Sequence, residues 1–77
     1  MSKTIEPLER RLNLLYTAAR KDLSKSNIQY ASRHVAAAAI YCNKAGKEVP
    51  KRFVELAAKI IQADYEMSVI LGATETN

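Results

Sequence analysis

The sequence predicts an all-α domain, an up-down-up bundle of three helices over about residues 5–24, 28–45 and 50–71. Three observations carry that expectation. Apolar residues recur at steps of three and four along most of the chain, with no alternating strand pattern in competition. Two Gly and two Pro in 77 residues fall at Pro7, Gly46, Pro50 and Gly72, where helices are expected to start or stop. The connections between the periodic stretches are short, which makes consecutive helices antiparallel neighbours. Residues 1–72 read as a single helical domain and residues 73–77 as a frayed tail.

The first helix has an N-cap candidate in Thr4, and Pro7 is tolerated in a first turn whose amides are unpaired in any case. Ile5, Leu8, Leu12, Leu15, Ala19 and Leu23 form its apolar stripe, which Leu14 and Ala18 widen. The second helix is expected to be capped by the side chain of Ser26 or Asn27. It carries one face of Ile28, Ala31, Val35, Ala38, Ala39 and Cys42, and a second of Tyr30, His34, Ala37 and Tyr41. Two apolar faces belong to the middle helix of a bundle, and the run Ala36 to Ala39 lets its neighbours approach. Gly46 then supplies a left-handed stop.

The third helix begins at Val49 or Pro50. Phe53, Leu56, Ile60, Ala63, Met67 and Ile70 follow the spacing of a coiled-coil seam. Val54, Ile61, Tyr65 and Val69 lay a second apolar stripe beside it, and Gly72 is expected to end the helix. That second stripe is too apolar for water unless something covers it, so it is expected to meet a protein partner or a second copy in a homodimer.

Composition bounds the function. The chain is 48% hydrophobic, which is globular rather than disordered, yet its core is small enough that a partner or oligomer is a reasonable expectation. It has no apolar run long enough for a membrane span and no leader-like start, so a soluble cytoplasmic protein is expected. One cysteine and one histidine leave no internal disulfide and no ordinary zinc site. Paired carboxylates, a phosphate-cradling glycine loop and a nucleophile–base arrangement are all missing. An enzyme, a cofactor or a small-molecule substrate is therefore not expected.

Charge is the strongest functional signal. Residues 1–52 carry eleven Lys and Arg against four acidic residues, a net +7, whereas residues 53–77 carry a net −3. In an up-down-up bundle the start of helix 1, the end of helix 2 and the start of helix 3 share one end. That gathers Lys3, Arg10, Arg11, Lys44, Lys47, Lys51 and Arg52 into a basic pole beside the free amides of helix 3. Such a pole suits a nucleic-acid backbone without much sequence preference, and an acidic protein surface equally.

Other features favour plainer readings. The Tyr30–Tyr41 stripe can stack bases but more often packs on the next helix. His34 has no acid–base companion, and Cys42 reads as a small core residue. Asp64 falls inside the apolar arc of helix 3 and there needs a partner such as Arg33, His34 or Arg11. A helix-turn-helix around Gly46 fits poorly, because Pro50 and charged residues stand where a recognition helix has apolar ones.

LERRLNLLYTAAR (Leu8 to Arg20) and YASRHVAAAAIYCNKAGKEVPKR (Tyr30 to Arg52) carry an R-L-N-x-L-Y-x-x-A start, an A-x-R-x-V opening the next helix, and K-A followed by V-P-K-R. In these features the segment resembles the helical N-terminal part of the zinc-ribbon protein subunit of archaeal and eukaryotic ribonuclease P. The resemblance implies a hairpin that docks on another protein subunit and lays basic residues along RNA. It makes Arg11, Arg33, Lys44, Lys51 and Arg52 candidate contacts. Family members follow the basic turn with zinc-holding cysteine pairs, whereas this chain continues FVELAAKIIQADYEMSVIL, so no metal carries over. The expected function is a small non-enzymatic accessory protein that binds RNA or a ribonucleoprotein through Arg10, Arg11, Arg33, Lys44, Lys47, Lys51 and Arg52. The alternatives are a small regulator, phage-encoded for instance, contacting a large host machine such as RNA polymerase, and a DNA-binding dimer.

Overall fold

The computed structural model describes residues 7–75 and has three helices, α1 (Pro7–Ser24), α2 (Ile28–Lys44) and α3 (Lys51–Glu75). Among the described residues there is no strand, and the all-α three-helix architecture agrees with the periodicity. Thr4 and the first residues expected in helix 1 lie outside the described residues.

Each turn is closed by backbone chemistry. At the end of α1 the amide of Ser26 donates to the Leu23 carbonyl at 3.0 Å and that of Asn27 to the Asp22 carbonyl at 2.8 Å. These two bonds make a Schellman cap, with Ser26 at φ 64° in the left-handed position glycine usually takes. The end of α2 repeats the motif with Gly46 at φ 70°: Gly46 donates to Asn43 at 3.1 Å and Lys47 to Cys42 at 2.9 Å. Asn27 occupies the N-cap of α2, but its side chain makes no capping hydrogen bond, contrary to the sequence expectation. The connection has already turned through Ser26, and the backbone carries the cap. At α3 the Pro50 carbonyl accepts from Phe53 and Val54, so this proline ends the turn and begins the helix.

The core is two short layers. Leu12, Ala38, Cys42 and Phe53 form one, Ala19, Ala31, Leu56 and Ile60 the other, and half-buried Tyr16 and Val35 touch both. Phe53 is the largest fully buried side chain, and the ring of Tyr16 meets it edge-on at 5.5 Å. Small residues at Ala31 and Ala38, both without exposure, let α1 and α3 close on α2. The α1–α2 pairing is the most extensive, and α3 packs chiefly on α2.

Four expectations need correction here. Helix 3 does not end at Gly72 but runs through it to Glu75. A glycine terminates a helix when it turns left-handed; Gly72 stays helical, at a cost of roughly 1 kcal/mol relative to alanine. The seam is buried only through Ile60, and Met67 and Ile70 are exposed. Twenty-five residues make α3 about 37 Å long, some 10 Å longer than either helix of the hairpin, so its last turns extend past the ends of α1 and α2. Asp64 is exposed for the same reason. Its angle on the helix is core-facing, but its height along the axis brings it level with the α1–α2 turn, where water reaches it. Leu14 is 68% exposed and does not widen the core face of α1.

Candidate nucleic-acid interface

The Schellman turn at Gly46 and the Pro50 start bring the end of α2 and the start of α3 to the end of the molecule where α1 begins. Arg10 and Arg11 stand exposed on the first turns of α1, Lys44 on the last turn of α2, Lys47 in the connection and Lys51 on the first residue of α3. Lys44 also complements the negative end of the α2 dipole. The first turn of α3 holds no acidic residue, and Lys51 and Arg52 occupy it instead. Two cations at the positive end of a helix dipole are unfavourable alone and become favourable when an anion binds there. Glu9, Glu48 and Glu55 are the acidic side chains toward this end among the described residues, and all three are exposed.

Two arginines of this end lie against aromatic rings. Arg11 lies over the ring of Tyr41 at 4.6 Å. Arg52 is half-buried: its Nη2 donates to Asn13 Oδ1 at 2.9 Å, and its guanidinium sits over Tyr16 at 4.9 Å and over Phe53 at 5.3 Å. It therefore ties α3 to α1 as well as contributing charge, a role that its place in the basic pole did not reveal. Arg33 is not brought to this end. It stands near the start of α2, over Tyr30 at 5.7 Å, where it lines a shallow groove with Ile28, Ile60 and Asp64. Arg20, Lys21 and Lys25 also lie toward that far end, among Asp22, Asp64 and Glu66.

The aromatic stripe of α2 is mainly an α1-facing edge. Tyr41 sits beneath Arg11, and His34 Nε2 pairs with Asp22 Oδ2 at 3.0 Å, while Tyr30 remains exposed. The partner of His34 is thus Asp22, a helix-end residue of α1, and not Asp64. Cys42 is a buried free thiol in the first core layer. Among the described residues, no three His, Cys, Asp or Glu cluster as metal ligands would, and no helix is long and apolar enough to cross a membrane. On the opposite side of α3, Val54, Ile61, Tyr65 and Val69 are all exposed, Ile61 to 69% and Tyr65 to 64%.

Comparison with protein-family models, with curated proteins and with solved structures matches this chain to none of them.

Proposed function

We propose that the protein is a non-enzymatic accessory factor that holds the phosphate backbone of RNA at the end formed by the α2–α3 turn and the start of α1. One observation carries this reading: Arg10, Arg11, Lys44, Lys47, Lys51 and Arg52 lie toward one end of the bundle, and the first turn of α3 has cations where helices ordinarily place acids. Phosphates satisfy that arrangement, since each supplies negative charge and acceptor oxygens to helix-start amides and ammonium groups alike. The exposed lysines suit a contact that follows a backbone without reading bases. The hairpin's resemblance to the ribonuclease P subunit points the same way. The kinship, the ribonucleoprotein setting and a cytoplasmic location belong to this proposal.

The test is a salt titration of binding to a labelled single-stranded RNA, for the wild type and for a Lys44→Gln, Lys47→Gln, Lys51→Gln triple variant. Arg52 is left in place because it supports the fold. The affinity of the wild type should fall steeply between about 50 and 200 mM salt, and the triple variant should lower the log–log slope by roughly 2 at about 0.7 per lost contact. A Lys21→Gln, Lys25→Gln variant at the far end should bind as the wild type does. Equal losses in both variants, or no salt-sensitive binding, would refute the reading.

A further inference from the structure

The exposed side of α3 is a second heptad seam, and we propose that it pairs with the same seam of a second copy, antiparallel, in a two-fold homodimer. Val54, Ala58, Ile61, Tyr65, Ser68 and Gly72 follow one another at steps of four, three, four, three and four. They share one helix face about a third of a turn from the buried line of Phe53, Leu56 and Ile60. The hairpin leaves this face in water along its whole length, from Val54 beside the core to Gly72 beyond it.

The seam is complementary to itself in one register. With the two-fold axis level with Ala63, Val54 of one copy faces Gly72 of the other, Ala58 faces Ser68, and Ile61 faces Tyr65. The outermost layer sets a large side chain against none, the next pairs two small ones, and the central one packs Ile against Tyr, so bulk and space alternate along the seam. Gly72 is the independent observation. It sits inside a helix, its backbone takes no left-handed turn, and a Cβ built on it meets nothing within 4 Å. Nothing among the described residues of its own chain needs a glycine there. The Val54 side chain of a second copy does.

Charge and area agree with the same occupant. The antiparallel register runs the two helix dipoles head to tail. It also keeps the two basic poles at opposite ends of the dimer. Val54, Ile61, Tyr65 and Val69 leave on the order of 500 Å² in water, more than half of the ~800 Å² per partner of a standard interface. The turns of α3 that outrun their own hairpin come to lie along the first turns of the partner's α3.

Sedimentation of the full chain across roughly 1–100 μM reads the state directly. The wild type should be a dimer at the upper end, and Gly72→Val should raise the dissociation constant at least about tenfold with unchanged helicity by circular dichroism. Adding Val54→Gly to Gly72→Val moves the large residue across the same layer and should recover much of the dimer. Mixing Ile61→Cys with Tyr65→Cys protein and oxidising should give, by peptide mapping, the mixed 61–65 disulfide in preference to either symmetric one. A wild type that stays monomeric throughout overturns the proposal and leaves the face to another protein. A dimer with symmetric 61–61 and 65–65 disulfides, or one indifferent to Gly72→Val, overturns the register.

Discussion

Replacing Arg52 by alanine separates what that side chain does for the fold from what its charge does for a ligand. Its guanidinium contacts two rings, Tyr16 at 4.9 Å and Phe53 at 5.3 Å, and donates one hydrogen bond to Asn13 at 2.9 Å. A partly exposed cation–π contact contributes about 0.5–1 kcal/mol. An exposed hydrogen bond from a charged donor adds about as much again. The three contacts share one planar group and are not additive, so the loss should be about 1–2 kcal/mol. For a domain of this size, each kcal/mol lowers the thermal midpoint by roughly 4–8 °C, which sets the expected drop at roughly 4–15 °C. Lys51 is the neighbouring cation and is exposed, so Lys51→Ala should stay within about 0.5 kcal/mol of the wild type. Arg52→Lys should fall between them, because an ammonium keeps the charge but loses the flat face and the fork. Thermal and urea melts followed by far-ultraviolet circular dichroism provide the measurement. If Arg52→Ala melted together with Lys51→Ala, the tether between α3 and α1 would be refuted, and Arg52 would be a surface cation like the rest.

Ala38 is fully buried between the three helices, so Ala38→Leu should overpack the first core layer and lower stability by about 1–3 kcal/mol in urea. Cys42 is buried in the same layer, so a thiol reagent should label it only as fast as the domain opens, and urea should accelerate labelling in step with unfolding. The His34–Asp22 pair is partly solvated, with side chains 33% and 23% exposed, so Asp22→Asn should cost no more than about 1 kcal/mol; a larger loss in a denaturant melt would mean the contact has a greater structural role. If both poles of a dimer bind phosphate, a long RNA should bind the wild type about 10²-fold or more tighter than a short one that reaches a single pole. That preference should vanish in a monomeric Ile61→Glu variant, and its persistence there would place both contacts on one chain.

Helix number, order and turns were legible because each rests on local chemistry. The three-four periodicity, the left-handed Gly46 and the Pro50 start are properties of short segments, and a short segment does not depend on its surroundings to express them. Height along the bundle axis is different. Asp64 has a core-facing angle and Leu14 a flank angle, yet both are exposed, because neither angle says which neighbour stands at that level. The same blindness let Gly72 read as a stop, when only its backbone dihedral distinguishes a helical glycine from a terminating one. Pairings made by long side chains were the least legible. Arg52 reaches across to Asn13, thirty-nine residues away in sequence, and His34 reaches Asp22 across the hairpin turn. The gathering of Arg10, Arg11, Lys44, Lys47 and Lys51 was legible because it follows from topology alone, and Arg33 falls outside it for the same reason, lying most of a helix away from Lys44.

The charge gradient along the chain and the unequal helix lengths have one physical explanation in common. A pole carrying most of the positive charge repels a second copy of itself, so association through that end is disfavoured at low salt. Apolar surface placed on the far part of α3 moves the point of association away from the pole. Had α3 stopped level with the hairpin, after Asp64, the outer seam would have kept only Val54, Ala58 and Ile61 and been too short to associate stably. The extra turns through Glu75 therefore add little to the core of one chain and double the outer seam. In the antiparallel register each Lys51 lies twelve residues from the two-fold axis. At about 1.5 Å per residue the two lie roughly 36 Å apart along the helices, facing outward. In the proposed dimer a single polyanion that spans that distance would engage both ends, and the length of α3 would set the separation of the two proposed phosphate-binding ends.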